Sequence, residues 1–202
     1  YRMLWSAFIP MPKLPFRIRI PVSRARLMEL IASPDNDTAL KACEDLKEAL
    51  AFQDGSMHSA NLRGANLRDV RLARASLRAV NFEQAVLSSA YFGAADLQNA
   101  VLRGATLSGA NLRDALLTDA DLSGCDLRGA HMAQADLRGA CLRDADLGSA
   151  NLWKAQLHAA DLQGANLRGA NLERAEFNPH TRLPDGTYWS PDSDITRFTD
   201  ES

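Results

Sequence analysis

The chain has 202 residues, a net charge of −2 and 46% hydrophobic residues. That is enough for one domain with a real core, and too balanced for a polyanion or a nucleic-acid-style polycation. Three cysteines (Cys43, Cys125, Cys141) share no CxxC or Cys/His spacing, which argues for a reducing compartment over a disulfide scaffold.

No apolar run reaches about 18 residues, so the chain contains no transmembrane helix. It opens on Tyr1 and not on Met, which is compatible with a processed product and an upstream anchor. Charge is unevenly placed: +4 over residues 1–22, −3 over 23–59, zero over 60–179 and −3 over 180–202.

Residues 1–22 form an arm that is apolar and basic, with Trp5, Phe8, Ile9, Leu14 and Phe16 alongside Arg17 and Arg19. Pro10, Pro12, Pro15 and Pro21 forbid a long helix, and "FRIRI" alternates like an edge strand. Such a segment is too apolar for a free tail. It could strap across its own fold, lie at a membrane surface or dock onto a membrane complex, or insert into a soluble partner. Trp5, Phe8, Ile9, Phe16, Arg17 and Arg19 are its candidate docking residues.

Two helices are expected over 23–59. "SRARLMELIAS" at 23–33 sets Leu27, Leu30 and Ile31 inward and stops before Pro34. "DTALKACEDLKEALAF" at 37–52 takes Asp37 as N-cap, carries an apolar stripe of Leu40, Cys43, Leu46 and Leu50, and ends by Gly55. Together they are expected to cap the N-terminal end of a long repeat region.

From Leu62 to Phe177 the chain repeats every five residues without an insertion, through 24 units. The central residue is Leu in 20 of them, the exceptions being Phe82, Phe92, Met132 and Phe177. Two residues earlier stands Ala in 21, the exceptions being Val70, Val80 and Cys125. A helix turns roughly 100° per residue, so a five-residue step would scatter the leucines round the cylinder. Ala and Leu two apart instead share one side of a strand. The two remaining residues, such as Arg63 and Gly64, must turn the chain. If each turn is about 90°, four units close a square coil of 20 residues, stacked at ~4.8 Å per layer with Ala and Leu inside.

"ANLRG" at 60–64 and 165–169 and "ADLRG" at 135–139 resemble the A(D/N)LXX motif of the pentapeptide-repeat family. The resemblance covers 60–179 and implies an all-β solenoid, a right-handed quadrilateral β-helix of about six coils. Residues 180–202 are read as a short C-terminal cap, with a PDG turn at 184–186 followed by Tyr188, Trp189, Ile195 and Phe198. This tail looks like the LPDGT-containing tail that follows such repeats in many bacterial proteins.

No chemistry is written in the sequence. His58, His131, His158 and His180 fall on no metal spacing, and no CxxC, HxxxH or P-loop occurs. Asp96, Asp121, Asp126, Asp136, Asp146 and Asp161 stand at the outward place before Leu, as the repeat requires. No catalytic, cofactor-binding or metal residue is expected, and no pocket in a filled rod. Cys125 and Met132 read as buried replacements for Ala and Leu.

One side of the square differs in composition. Residues twenty apart share a side, and that built on Leu72 carries Arg71, Tyr91, Asn111, His131, Asn151 and Asn171 outward, with Arg113 and Trp153 beside them. Tyr91, Arg113, His131 and Trp153 form the candidate partner interface. Val86, Val101 and Leu116 are exposed apolar residues on three other sides. The expected function is a non-enzymatic interaction or scaffold module without cofactor, bound to a protein partner and not to nucleic acid. Its expected location is cytoplasmic or peripheral at the inner membrane.

The resemblance also implies an alternative, DNA mimicry that modulates a type II topoisomerase and protects against quinolones. Mimicry needs strong negative potential, whereas the repeat holds 13 basic and 13 acidic residues. A further alternative has the Arg ridges bind an acidic surface or nucleic acid, opposed by interspersed Asp, with Asp121 expected beside Arg143.

Overall fold

Pro34 divides two helices, α1 (Arg24–Ile31) and α2 (Asn36–Glu48). A computed structural model of the chain describes residues 24–48 and 57–200. The docking-arm residues, Leu50 and Gly55 lie outside the described residues, as do the side chains of Leu27 and Leu46.

The expected N-cap is corrected. Asp35 Oδ2 accepts the Thr38 N–H at 3.0 Å, and Asp37 lies in the first turn. Both are capping residue types, and the helix takes the earlier one because it can start directly behind Pro34. The Thr38 hydrogen bonds hold the Asp35 carboxyl below its ordinary pKa. Ile31, Ala39, Ala42 and Cys43 are buried in one hydrophobic cluster with the repeat, with Leu30 and Leu40 against it. The Ser33 carbonyl accepts from Asn66 N–H at 3.3 Å, which ties the helix junction to the repeat.

The repeat coils as a square. Parallel bridges join residues twenty apart, from Asn61 with Asn81 through to Gln156 with Glu176, on four sides in turn. We number these sides by their ladders: the first runs from Asn61, the second from Asn66, the third from Arg71 and the fourth from Ser76. Each side is one bridge residue wide, because three residues suffice for Ala-x-Leu before the chain turns again. The Ala and Leu positions are buried without a break from Leu62 to Ala170.

The unit Ala110–Asp114 shows how the motif satisfies its backbone. Asn111 N–H donates to Ala90 O one layer back at 2.9 Å, and Leu112 and Asp114 donate to His131 O (2.8 Å) and Ala133 O (3.1 Å) one layer on. Ala110 closes the preceding turn onto Leu107 O at 2.9 Å. The fifth donor, Arg113 N–H, is taken by the Asn111 side chain at 3.1 Å. The same Asx bond recurs on all four sides, for example Glu83 to Asn81, Arg128 to Asp126 and Gln98 to Asp96. The Asp/Asn of the motif is therefore an acceptor for the one N–H that no neighbouring layer can reach.

The corners are equally regular. Every fifth residue from Ser59 to Arg174 has a positive φ, between 53° and 74°, the signature of the third position of a type II turn. Only eight of these 24 are glycine. For the others the left-handed conformation costs about 1 kcal/mol each. It is offset by a regular bond, as where Arg74 N–H reaches Gly93 O at 2.9 Å.

Both ends extend past the recognised period. Met57 is fully buried, accepts from Ala60 N–H at 3.1 Å, and acts as the central residue of an earlier unit. At the far end Asp161 bridges Arg182, twenty-one residues on, so one residue is inserted. Thr181 and Leu183, both buried, take the inward places of Ala and Leu. The chain then turns back at Gly186 (φ 84°), and Arg182 pairs antiparallel with Tyr188. Trp189 stacks on Phe177 with centroids 6.2 Å apart, and Phe198 packs on the core, whereas Tyr188 stays 64% exposed.

Candidate functional site

The third side arises from its ladder residues. Bridges run from Arg71 through Tyr91, Asn111, His131 and Asn151 to Asn171, so one row of outward side chains climbs this wall. Tyr91 and His131 stand two layers apart, roughly 10 Å at the strand spacing. Tyr91 is 51% exposed, His131 and Arg113 are exposed, and Trp153 is half-buried. The four residues singled out in the sequence thus share one wall.

Two of them engage charged groups beside them. The Arg113 guanidinium lies 3.4 Å from Asp114, and Lys154 Nζ sits 4.4 Å from the Trp153 ring centroid. That cation–π contact, and Lys154 itself, escaped sequence reasoning because a corner residue's direction is set by the turn. Val86 and Val101 are half-buried, and Leu116 is 38% exposed between Asp96 and Asp136 on the fourth side.

The remaining sides carry paired charge. Arg103 Nε reaches Asp121 at 2.5 Å and Arg143 Nε reaches Asp161 at 2.6 Å, each across one layer of the first side. The expected pairing of Asp121 with Arg143 is corrected: the Arg one layer earlier takes the carboxylate, because the residue after Leu leans along the chain's advance. Arg78 reaches Asp96 at 3.3 Å in the same way. Arg128 and Arg138 instead fold back on Asp126 (2.8 Å) and Asp136 (2.6 Å) of their own units. These guanidinium bonds lower the carboxyl pKa values of Asp126 and Asp136. For Asp121, burial pushes upward, and bonds from Ser123 and Arg103 outweigh it.

Replacing the Asx acceptor has a local result on the third side. Where Tyr91 and His131 stand, no described residue accepts the Gly93 or Ala133 N–H, whereas Asn151 accepts from Trp153 at 3.1 Å. Gly93 and Ala133 are half-buried at the surface, beside the two rings.

Among the described residues, recesses lie at the helical cap and along the corners of the coil. A cleft of about 140 Å³ lies between α2 and the start of the repeat, lined by Leu40, Cys43, Glu44, Asp69, Val70 and Arg71. A surface groove of about 600 Å³ follows the corner between the third and fourth sides, past Asp114, Gln134, Lys154 and Arg174. Among the described residues no group of three His, Cys, Asp or Glu is placed to hold a metal ion. None of the described helices is long and apolar enough to cross a membrane.

Comparison with known proteins agrees with this geometry. The model described as "Pentapeptide repeat region" matches residues 75–152, and that described as "Pentapeptide repeats (8 copies)" matches 56–93 and 155–178. No curated protein matches the chain.

Among solved structures, the chain is similar to HetL, a pentapeptide repeat protein involved in heterocyst differentiation regulation in the cyanobacterium Nostoc sp. strain PCC 7120. They are 37% identical over 65% of each chain, with a TM-score of 0.36, so the match spans just under two thirds of HetL. Rfr23 from the cyanobacterium Cyanothece 51142 is 28% identical over 72% of this chain and 99% of its own, with a TM-score of 0.48. QnrB1, a plasmid-mediated fluoroquinolone resistance protein, is 23% identical over 71% of this chain and 75% of its own, with a TM-score of 0.47. With its five-residue period, its twenty-residue bridges and family models matching over 56–152 and 155–178, the chain belongs to the pentapeptide-repeat family.

Proposed function

We propose that the chain is a non-enzymatic interaction module. It is a right-handed quadrilateral β-helix of about six coils over 60–179, its interior continued by Met57 and Leu183, capped by α1 and α2 at one end and by the tail after Leu183 at the other. It binds a protein partner through its third side, with residues 1–22 docking it onto a larger assembly, cytoplasmic or at the inner membrane.

One observation carries this reading. The third side is the one ladder without a carboxylate, and it presents Tyr91, 51% exposed, with His131 and Trp153 two and three layers further along the same wall. Aromatic and Arg side chains on a wall depleted of acidic residues have the composition of an interface core.

The test is affinity capture from cytosolic and membrane fractions with the full chain, with residues 1–22 deleted, and with Tyr91→Ala/Trp153→Ala. Loss of a common partner in the double variant is expected, and unchanged capture by it would overturn the third side as the interface. Unchanged capture without residues 1–22 would remove the docking arm.

DNA mimicry finds little support in the charge arrangement. The ladder carboxylates Asp96, Asp121, Asp126, Asp136, Asp146 and Asp161 each lie within ion-pair distance of an Arg. Mimicking phosphate requires negative potential that such pairing cancels. A gyrase supercoiling assay decides it, and no inhibition by the chain is expected.

A further inference from the structure

The neutral repeat is sorted by its four sides. Counting each corner with the side that precedes it, the third side carries five cations, Arg71, Arg74, Arg113, Lys154 and Arg174, against Asp114 and Glu173. Its surplus of +3 faces a second side at zero, a first at −1 and a fourth at −2. Each of the other corners holds one carboxylate and no cation. On the first side Arg63, Arg103 and Arg143 are all ion-paired. On the third, Arg71, Arg74 and Lys154 have no carboxylate partner among the described residues, and all three are exposed.

The same corner carries no glycine. Arg74, Gln134, Lys154 and Arg174 hold long polar side chains at φ 55–62°, where Gly would relieve the strain. The open N–H groups of Gly93 and Ala133 face the same wall. The unpaired cations stand at the first layer (Arg71, Arg74) and the fifth (Lys154), ~19 Å apart, with the ion-paired Arg113 between them. A polyproline-II segment repeats its face every three residues, about 9 Å.

We propose that the third side and its following corner dock an extended acidic segment of a partner protein, whose carboxylates pair with Arg71, Arg74 and Lys154 and accept from the Gly93 and Ala133 N–H groups. This rests on the third side being the interface and adds the chemistry of the partner. A nucleic acid fits less well. Its strand presents a phosphate every ~3.4 Å and would set phosphates against Asp114 and Glu173.

The test uses the full chain and a fluorescein-labelled Glu-Pro-Pro repeat peptide, with a Gln-Pro-Pro peptide and an oligothymidylate alongside, read by fluorescence anisotropy across a salt series. Salt-sensitive binding of the Glu peptide alone is expected. It should weaken about tenfold in Arg71→Gln/Arg74→Gln/Lys154→Gln and less than about twofold in Arg63→Gln/Arg103→Gln on the first side. A conservative Arg71→Lys/Arg74→Lys variant, with circular dichroism matching the wild type, should keep most of the affinity.

No binding of the Glu peptide, equal loss in the first-side variant, or tighter binding of oligothymidylate would overturn the proposal. If the peptide fails while partner capture still depends on Tyr91 and Trp153, the acidic partner falls and the interface stands.

Discussion

At a corner of the square coil, one residue in five bears the strain of the turn, and its identity sets how much. Ala94 (φ 54°) is strained by its own Cβ, whereas Gly124 (φ 64°) has open space where a Cβ would stand. Gly124→Ala should therefore cost about 1 kcal/mol from the backbone alone. Ala94→Gly should gain about 0.5 kcal/mol or more once the greater unfolded-state entropy of glycine is subtracted. Urea denaturation of the two variants checks both signs, and equal signs would contradict this strain.

The cysteines separate by burial. Cys43 and Cys125 are buried, and desolvation pushes both thiols up to about 12. Cys125 also donates to Leu102 O at 2.9 Å, as a small core residue with a weak donor. Cys141, partly exposed on the first ladder, should react first with iodoacetamide in the native protein, and peptide mass mapping reads the order.

At the scale of the element, a coil layer is a ring of four Leu-type side chains and four small ones. Phe82 and Phe92 face each other from the first and third sides with centroids 6.0 Å apart at 60°, an edge-to-face pair across one layer. Substituting a central residue empties space that no neighbour can fill, because each layer is held by bonds above and below. Leu117→Ala is expected to cost about 2–5 kcal/mol. Met132→Leu, which restores the common residue, should stay within about 1.5 kcal/mol. Chemical denaturation measures both.

At this scale the sequence also misplaced element ends. The coil already includes Met57, where Met stands for Leu, and it runs on to Leu183 past a one-residue insertion that breaks the count. The inserted residue hides Leu183 from a strict period of five, whereas Met57 keeps the period and escapes only because Met stands for Leu and Gly55 for Ala.

At the scale of the molecule, a solenoid adds the stability of its layers and the contacts between neighbours. Ion pairs within single units make that stability depend on pH. The Asp126 and Asp136 carboxyls are held below their ordinary pKa, chiefly by Arg128 and Arg138. A depressed folded pKa contributes stability that is full above the unfolded value and is lost as pH falls through the folded one. The protein should hold its stability from neutral pH down to about pH 4 and lose it progressively below that. Replacing Asp126 and Asp136 by Asn should flatten that acid limb, as thermal unfolding against pH would show.

The period of five and the inward Ala and Leu were legible in the sequence alone, because the hydrophobic spacing fits no helix, while four sides followed only from turns of about 90° and from the family resemblance. The wall shared by Tyr91, Arg113, His131 and Trp153 was also legible, since residues twenty apart must stack. Tertiary structure decided what those side chains do. Arg113 turns to Asp114, Lys154 covers Trp153, and Asp121 pairs with Arg103 and not Arg143. It also showed that the motif's Asp/Asn closes the one backbone donor the ladder leaves open. Side-chain direction at a corner and hydrogen bonds between layers depend on the turn and the layer spacing, and neither is written in the period of a repeat.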